Sequence, residues 1–367
     1  MTDEFEAARN RVATMAETDR KCPQCGGVMD FDPASAGLKC PYCGHTQELP
    51  RAGGAAAKAA ELDFASAEQK GNCDWGAQKK TVICKSCGAE SIYDALQVAN
   101  TCPYCGSNQV MDAGAKDTLA PGGVCPFKID AQTAGRNFTK WIGGKLFCPG
   151  KAKRQAKPDA FQGVYLPYWT FDAQTTSEYS GRYGYRRTRR TRDNKTETYI
   201  EWHSASGTHR EFIDDQLVMG TGRYDGGILA QIEPFHTGEN VAYKPEYLAG
   251  FVAERYSVGL KDAWERAKDA IKQRLYRNVE SKMCNDHGAS TAEVHSLSTR
   301  YANVTYKYLM LPVWMSAFKY KEKTYRFVVN GQTGRVGGRS PISALRVAVA
   351  ILLGLAAVGV LYYLSNQ

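Results

Sequence analysis

Four short cysteine turns of the form C-x2-C occur as two pairs in the first third of the chain. The first pair contains Cys22, Cys25, Cys40 and Cys43, and the second contains Cys84, Cys87, Cys102 and Cys105. In both pairs 14 residues separate the inner cysteines, and the same offset relates each cysteine of the second pair to its counterpart in the first. A glycine follows every turn, which suits a tight turn that needs a positive φ. This spacing constrains the fold more than any other feature.

Each pair of turns offers four thiolates to one ion, because a C-x2-C turn presents two sulfurs and a short hairpin brings two turns together. We therefore predict two structural Zn²⁺ ions, one held by each set of four cysteines. Four thiolates leave no open coordination position for water or substrate. Two alternatives fit the same spacing: disulfide bonds, and iron in the same four-sulfur geometry, as in rubredoxin.

An apolar stretch without a single charge, 347–364, lies near the C-terminus. As a helix it reaches ~27 Å at about 1.5 Å per residue, close to the hydrocarbon thickness of a bilayer. Tyr362 and Tyr363 stand where an aromatic belt is expected. A buried core helix is the alternative. We predict a transmembrane helix over 343–364 in a tail-anchored chain.

The flanks of this stretch predict its orientation. Arg335, Arg339 and Arg346 precede it and no positive residue follows it, so the positive-inside rule keeps the N-terminal bulk in the cytoplasm. Twelve cysteines, eight of them in metal-type turns, favour a reducing compartment. The acidic residues 1–6 form no secretory signal. We expect a single-pass protein of the cell inner membrane.

The residues between the turns and the apolar stretch predict an α+β body that is mainly an antiparallel sheet. Tyr, Thr, Trp and Gly dominate 161–240 with strand-like alternation, and 260–283 has the spacing of one long amphipathic helix. Leu146-Phe147 is interpreted as a strand. The predicted organisation is an N-terminal helix (1–20), zinc ribbon 1 (21–49), a linker (50–79), zinc ribbon 2 (80–111), the body (124–340) and the transmembrane helix (343–364).

The body contains a short internal echo. Tyr165-Leu166-Pro167-Tyr168-Trp169 recurs as Met310-Leu311-Pro312-Val313-Trp314. Two interpretations are open besides coincidence: two edge strands that enter one sheet, or two related half-domains.

A basic run interleaved with tyrosines predicts a long exposed hairpin. Its cations are Arg182, Arg186, Arg187, Arg189, Arg190, Arg192 and Lys195, in a chain of net charge +9. It is interpreted as a solvated loop, as a contact for anionic lipid or an acidic protein, or as a nucleic-acid site that uses phosphate contacts and base stacking. The bilayer tether favours lipid or an acidic protein.

The order of motifs resembles a known family. After the cysteine turns come Pro126-Phe127 and the segments 164–172 (VYLPYWTFD), 245–251 (PEYLAGF), 311–314 (LPVW), 329–334 (VNGQTG) and 341–343 (PIS). Over nearly the whole chain this resembles bacterial membrane proteins with two transcription-factor-IIB-type zinc ribbons, often labelled primosomal protein N′ or superfamily II helicase. The resemblance implies a non-enzymatic protein whose partners are flotillin-like (SPFH-domain) or phage-shock-protein-A-like, in membrane-stress systems.

No motif predicts catalysis, and no catalytic residue is proposed. The helicase label fails because 143–146 (GGKL) and 150–152 (GKA) lack the spacing and hydroxyl of a phosphate-binding loop. The sequence therefore predicts a tail-anchored scaffold that docks membrane-associated proteins. The alternative is a membrane-tethered nucleic-acid-binding regulator that uses the ribbons and the hairpin 182–195.

Overall fold

A computed structural model describes residues 21–49, 58–67, 79–84, 90–94, 110–113, 119–156, 161–190, 196–222, 224, 226–321 and 323–365. The predicted N-terminal helix over 1–20 lies outside these residues, as does most of the second set of cysteines. Within the described part the fold is α+β, and antiparallel strands dominate it, as the sequence predicts.

The described strands form one sheet of three strands and one of twelve. The small sheet contains β1 (Asp30–Asp32), β2 (Gly37–Lys39) and β3 (Thr46–Glu48). The large sheet contains β4 (Leu62–Asp63), β5 (Lys79–Cys84), β6 (Glu90–Asp94), β7 (Val110–Ala113), β8 (Gly123–Val124), β9 (Gln162–Arg190), β10 (Thr196–Met219), β11 (Val241–Ala242), β12 (Val252–Glu254), β13 (Thr291–Tyr320), β14 (Lys323–Asn330) and β15 (Val336–Gly338).

Five described α-helices accompany the sheets: α1 (Ala131–Gly143), α2 (Gly150–Gln155), α3 (Gly226–Leu229), α4 (Leu260–His287) and α5 (Ala344–Ser365). Short 3₁₀ segments occupy Ala230–Ile232, Thr237–Glu239 and Pro245–Leu248. The strand predicted at Leu146-Phe147 is wrong: both residues lie in the turn between α1 and α2, which closes locally through a bond from Cys148 N to Lys145 O.

Three long strands carry the body. β9 pairs with β10 on one side and with β13 on the other, both antiparallel. The amphipathic helix α4 covers one face of these three strands. Its sheet-facing side chains are buried at steps of three or four residues: Ala263, Trp264, Ala267, Ile271, Leu275, Val279 and Met283. Trp264 packs against Phe171 and Tyr301, with ring centroids 5.2 and 5.3 Å away. The helix predicted over 260–283 is confirmed, one turn longer.

The internal echo has a structural counterpart. At Val164-Tyr165, β9 has β12 as a parallel outer neighbour, and from Tyr168 onward it has antiparallel β10. At Leu309-Met310, in the second copy of the motif, β13 has parallel β8, and from Val313 onward antiparallel β14. The pattern fits two related halves. The edge-strand interpretation is wrong, since β9 and β13 are central and pair with each other.

Proline sits in each central strand where its missing N–H costs nothing. Pro167 and Pro312 lie in the gaps between the two outer neighbours of their strands, so no ladder bond on that side needs a donor. Their carbonyls remain in use: Pro167 O accepts from Gly220 N at 2.8 Å, and Pro312 O accepts from Gly331 N at 2.9 Å.

Candidate metal centre and membrane anchor

The first set of cysteines converges on one point. The Sγ atoms of Cys22 and Cys43 are 3.4 Å apart, as are those of Cys25 and Cys40, and all four lie within 4.8 Å of one another. Zn–S bonds of about 2.3 Å in a tetrahedron place sulfurs about 3.8 Å apart. The arrangement therefore suggests one zinc site, as the sequence predicts for this set.

Two matching turns shape the site. Gly26 N donates to Cys22 O at 2.8 Å, and Gly44 N donates to Cys40 O at 3.0 Å. Both glycines have positive φ, 74° and 76°, a conformation that side chains with a Cβ rarely adopt. Strands β1, β2 and β3 then hold the two turns against each other. Local backbone geometry thus prepares the four sulfurs for an ion.

The thiols of this set differ in acidity. Backbone N–H groups of Cys43 and Tyr42 point at Cys40, and with them its pKa is lowered to about 7 despite partial desolvation. The N–H of His45 lowers the pKa of Cys43, but the thiols of Cys22, Cys25 and Cys40 and desolvation outweigh it and raise that pKa to about 12. Four neighbouring thiolates repel one another, so a divalent cation is what allows all of them to ionise together.

The first ribbon is part of the core of the body. Phe31 is 4% exposed, and its ring lies 5.9 Å from that of Tyr247 and 6.4 Å from that of Phe251. Its amide donates to Ala249 O at 3.1 Å. Gly250 has a φ of 81° and lies close to Asp30. A Cβ on Gly250 would be only 2.9 Å from the carboxyl carbon of Asp30. The segment 245–251 is therefore the part of the body on which this ribbon packs. The spacing of the cysteines does not predict this contact.

Truncating the Phe31 side chain tests this contact between the ribbon and the body. We expect Phe31→Ala to lower the free energy of unfolding by about 3–5 kcal/mol, because it empties an aromatic pocket between ribbon and body. Zinc content should stay unchanged, since no sulfur is touched. Thermal denaturation measures the first quantity and elemental analysis the second. Tyr42→Ala is the matched control, because Tyr42 is 78% exposed on the same ribbon. Equal losses in both variants would contradict the docking.

The second set of cysteines is described only at its start. Cys84 ends β5, whereas Cys87, Cys102 and Cys105 lie outside the described residues. The backbone pairing around the first C-x2-C turn is nevertheless the same in both sets. Lys21 bridges Val28, and Ile83 pairs with Glu90 at the equivalent position of the second set. Strands β5, β6 and β7 join the large sheet through the pairing of β6 with β12. The second metal site remains a prediction.

Within the described part of the chain, one helix is long and apolar enough to cross a membrane. It covers Ala344–Leu364, has a mean hydropathy of 2.5 and is 0% buried in the protein. The alternative of a buried core helix is therefore wrong. A surface of this size made of exposed Leu, Ile and Val side chains is unfavourable in water and suits hydrocarbon.

The basic hairpin exists, but much of its charge is paired. Three arginines face glutamates across the strands: Arg182 with Glu293 at 2.6 Å, Arg187 with Glu201 at 2.9 Å, and Arg189 with Glu197 at 2.9 Å. The same arginines lie over the rings of Trp202, Tyr185 and Tyr199. For Arg186 and Arg190 no carboxylate of the described residues lies at ion-pair distance. Arg192 and Lys195 fall outside the description.

The body also contains a buried charged cluster, which the sequence did not predict. Lys307 is 8% exposed at its side chain, and its Nζ is 2.8 Å from Asp215, 3.2 Å from Glu61 and 3.8 Å from Asp172. Burial raises the pKa of Asp172. Burial lowers the pKa of Lys307, but the carboxylates outweigh it and the net shift is upward. Lys307 supplies the cation among these carboxylates, so the cluster is a structural ion network.

Comparison with known proteins places the chain only loosely. It is 28% identical over 236 residues to the uncharacterized protein YdjG of Bacillus subtilis (strain 168), a match that covers 63% of this chain and 66% of that protein. No family model matches the chain, and no solved structure does. The chain thus has a distant relative of unassigned activity, and its function must be argued from its own site.

Proposed function

We propose that this protein is a non-enzymatic adaptor that α5 anchors in the cell inner membrane, with its N-terminal bulk in the cytoplasm. Two structural Zn²⁺ ions stabilise its N-terminal ribbons, and these ribbons together with the α+β body dock a membrane-associated protein. The observation that carries the proposal is the union of three parts. The four-cysteine cluster packs on the body through Phe31, and the same body carries a long helix whose apolar side chains it leaves unburied.

The non-enzymatic part rests on the chemistry of the donor sets. Four thiolates complete a tetrahedral shell, so an ion at Cys22, Cys25, Cys40 and Cys43 has no free position for a substrate. Asp172 and Asp215, which also lie close together, already pair with Lys307. Such groups stabilise structure rather than activate a nucleophile. Zinc is favoured over iron because it has no redox chemistry that an adaptor would need to control.

The partner is inferred from chemistry and from the resemblance. A cytoplasmic body held at the bilayer meets proteins on the same surface, and the resemblance favours flotillin-like (SPFH-domain) or phage-shock-protein-A-like partners. The nucleic-acid alternative has less support, because three arginines of the hairpin are neutralised by glutamates. Binding of a nucleic-acid backbone would have to break those pairs or rely on Arg186 and Arg190.

Crosslinking of the full chain in native membranes tests this proposal. We expect SPFH-domain or phage-shock-protein-A-like proteins to be enriched among the crosslinked products. The enrichment should fall in Cys84→Ser, which removes a ligand of the second predicted zinc site and leaves the anchor intact. Recovery of nucleic acid instead, lost at raised salt and in Arg186→Glu with Arg190→Glu, would favour the alternative. Products that are the same in wild type and Cys84→Ser would contradict a zinc-dependent docking surface.

A further inference from the structure

The turn between α1 and α2 is fastened to the first turn of α5. Arg346 donates from Nη1 to Leu146 O at 2.9 Å and to Cys148 O at 2.8 Å, and Ser343 N donates to Phe147 O at 2.8 Å. The turn itself is closed by Cys148 N, which donates to Lys145 O at 3.1 Å. Leu146 and Phe147 are therefore held at a fixed position beside the apolar helix.

These two side chains are exposed although they are apolar. Leu146 is 79% and Phe147 41% exposed, and they form one wall of a groove of about 460 Å³. Val349, Ala350 and Leu353 of α5 line the other wall. Leu353 is nine residues into α5, which corresponds to about 13.5 Å of helix. The groove thus runs alongside the part of α5 that a bilayer would surround.

The two chain segments that form this groove carry charges of one sign. From 131 to 156 the chain carries Arg136, Lys140, Lys145, Lys151, Lys153 and Arg154 and no acidic residue; from 335 to 346 it carries Arg335, Arg339 and Arg346, again without an acid. Lys151 and Arg154 are exposed on α2, next to the apolar turn. An exposed apolar turn flanked by basic residues is typical of a surface that enters the interface of an anionic bilayer.

We propose that the 144–149 turn is a second membrane contact, in which Leu146 and Phe147 enter the leaflet beside α5 and the groove takes a phospholipid acyl chain. The surrounding cations, with Lys151 and Arg154 foremost, then bind anionic phospholipid headgroups. This inference rests on the proposed membrane anchor. It goes further by fixing which face of the body lies on the bilayer and which lipids it selects.

Photo-crosslinking of the full chain in nanodiscs tests the contact. A benzophenone amino acid replaces Phe147 in one sample, Leu353 on α5 in a second and Tyr199 on the distant hairpin in a third. We expect lipid adducts from positions 147 and 353 and none from 199. Adducts from 353 without adducts from 147 overturn the second contact and leave the anchor standing. Lipid adducts from neither position overturn the anchor itself.

The lipid class is tested in nanodiscs of phosphatidylcholine mixed with phosphatidylglycerol. At position 147 we expect the ratio of phosphatidylglycerol to phosphatidylcholine adducts to exceed the ratio of these lipids in the bilayer by about fivefold, the factor that one cation near an anionic surface provides. Lys151→Glu with Arg154→Glu should abolish the excess. Arg266→Glu with Lys272→Glu, which reverses two exposed cations on α4, is the matched control and should keep it. Adducts in proportion to the bilayer composition in wild type overturn the selectivity.

Discussion

Cys22→Ser is expected to lower the zinc content of the purified protein by about one ion per chain and to destabilise the whole body. The sulfur of Cys22 is one of four within 4.8 Å of one another, and three thiolates hold a structural ion far less well. A ribbon of this size has little core of its own, so metal binding provides most of its folding free energy. Elemental analysis and thermal denaturation in reducing buffer measure the two effects.

The consequence for the body separates this ribbon from an independent zinc knob. Phe31 contacts Tyr247 and Phe251, so an unfolded ribbon uncovers aromatic side chains of the main core. Cys284→Ser is the control, since Cys284 lies on α4 outside the cluster, and it should change neither quantity by much. A Cys22→Ser protein that keeps the zinc content of the wild type would refute the assignment. One that loses zinc but melts as wild type does would show that ribbon and body fold separately.

Leu355→Arg combined with Val358→Arg is expected to release the protein from membranes. Both side chains lie near the middle of α5 and are exposed, 65% and 64%. Each arginine at the centre of a membrane helix costs about 2.5–3.5 kcal/mol on insertion scales, so the pair opposes insertion by roughly 5–7 kcal/mol. Fractionation of cells followed by an alkaline carbonate wash measures the membrane-bound share, which should fall from nearly all to a small part.

The control for this pair is Leu355→Ala with Val358→Ala, which shortens the same side chains without adding charge and should leave the protein in the membrane fraction. Wild-type protein that a mild salt wash releases completely would argue against a spanning helix. Such a result would leave α5 as a partner-binding helix, because its apolar surface would then have to be covered by another protein.

The features that the sequence predicts well are those encoded by local spacing. The C-x2-C turns bring Cys22, Cys25, Cys40 and Cys43 together because each turn and its glycine form within a few residues. The three-to-four periodicity of α4 marks its buried face directly. The uniform apolar composition of α5 likewise needs no tertiary information to be recognised.

What the sequence misses depends on contacts between distant residues. Lys307 meets Glu61, Asp172 and Asp215 only because two strands bulge near it, at 213–216 and 302–305. The arginine–glutamate pairs require the register of β9 with β10, which the residues alone do not fix. Leu146-Phe147 looks like a strand from its apolarity, but its partner is the first turn of α5, far away along the chain.

The positions of Pro167 and Pro312 in the two central strands have a consequence for sequence divergence. β9 and β13 stay paired through Pro167 and Pro312 while their outer neighbours change at those points. The centre of the sheet is therefore decoupled from its perimeter. Connections such as those after β10 and before β12 can lengthen or shorten in homologous proteins at a modest entropic cost, since loop closure depends only weakly on loop length. Evolution can thus remodel the rim of this protein and leave its central ladder unchanged.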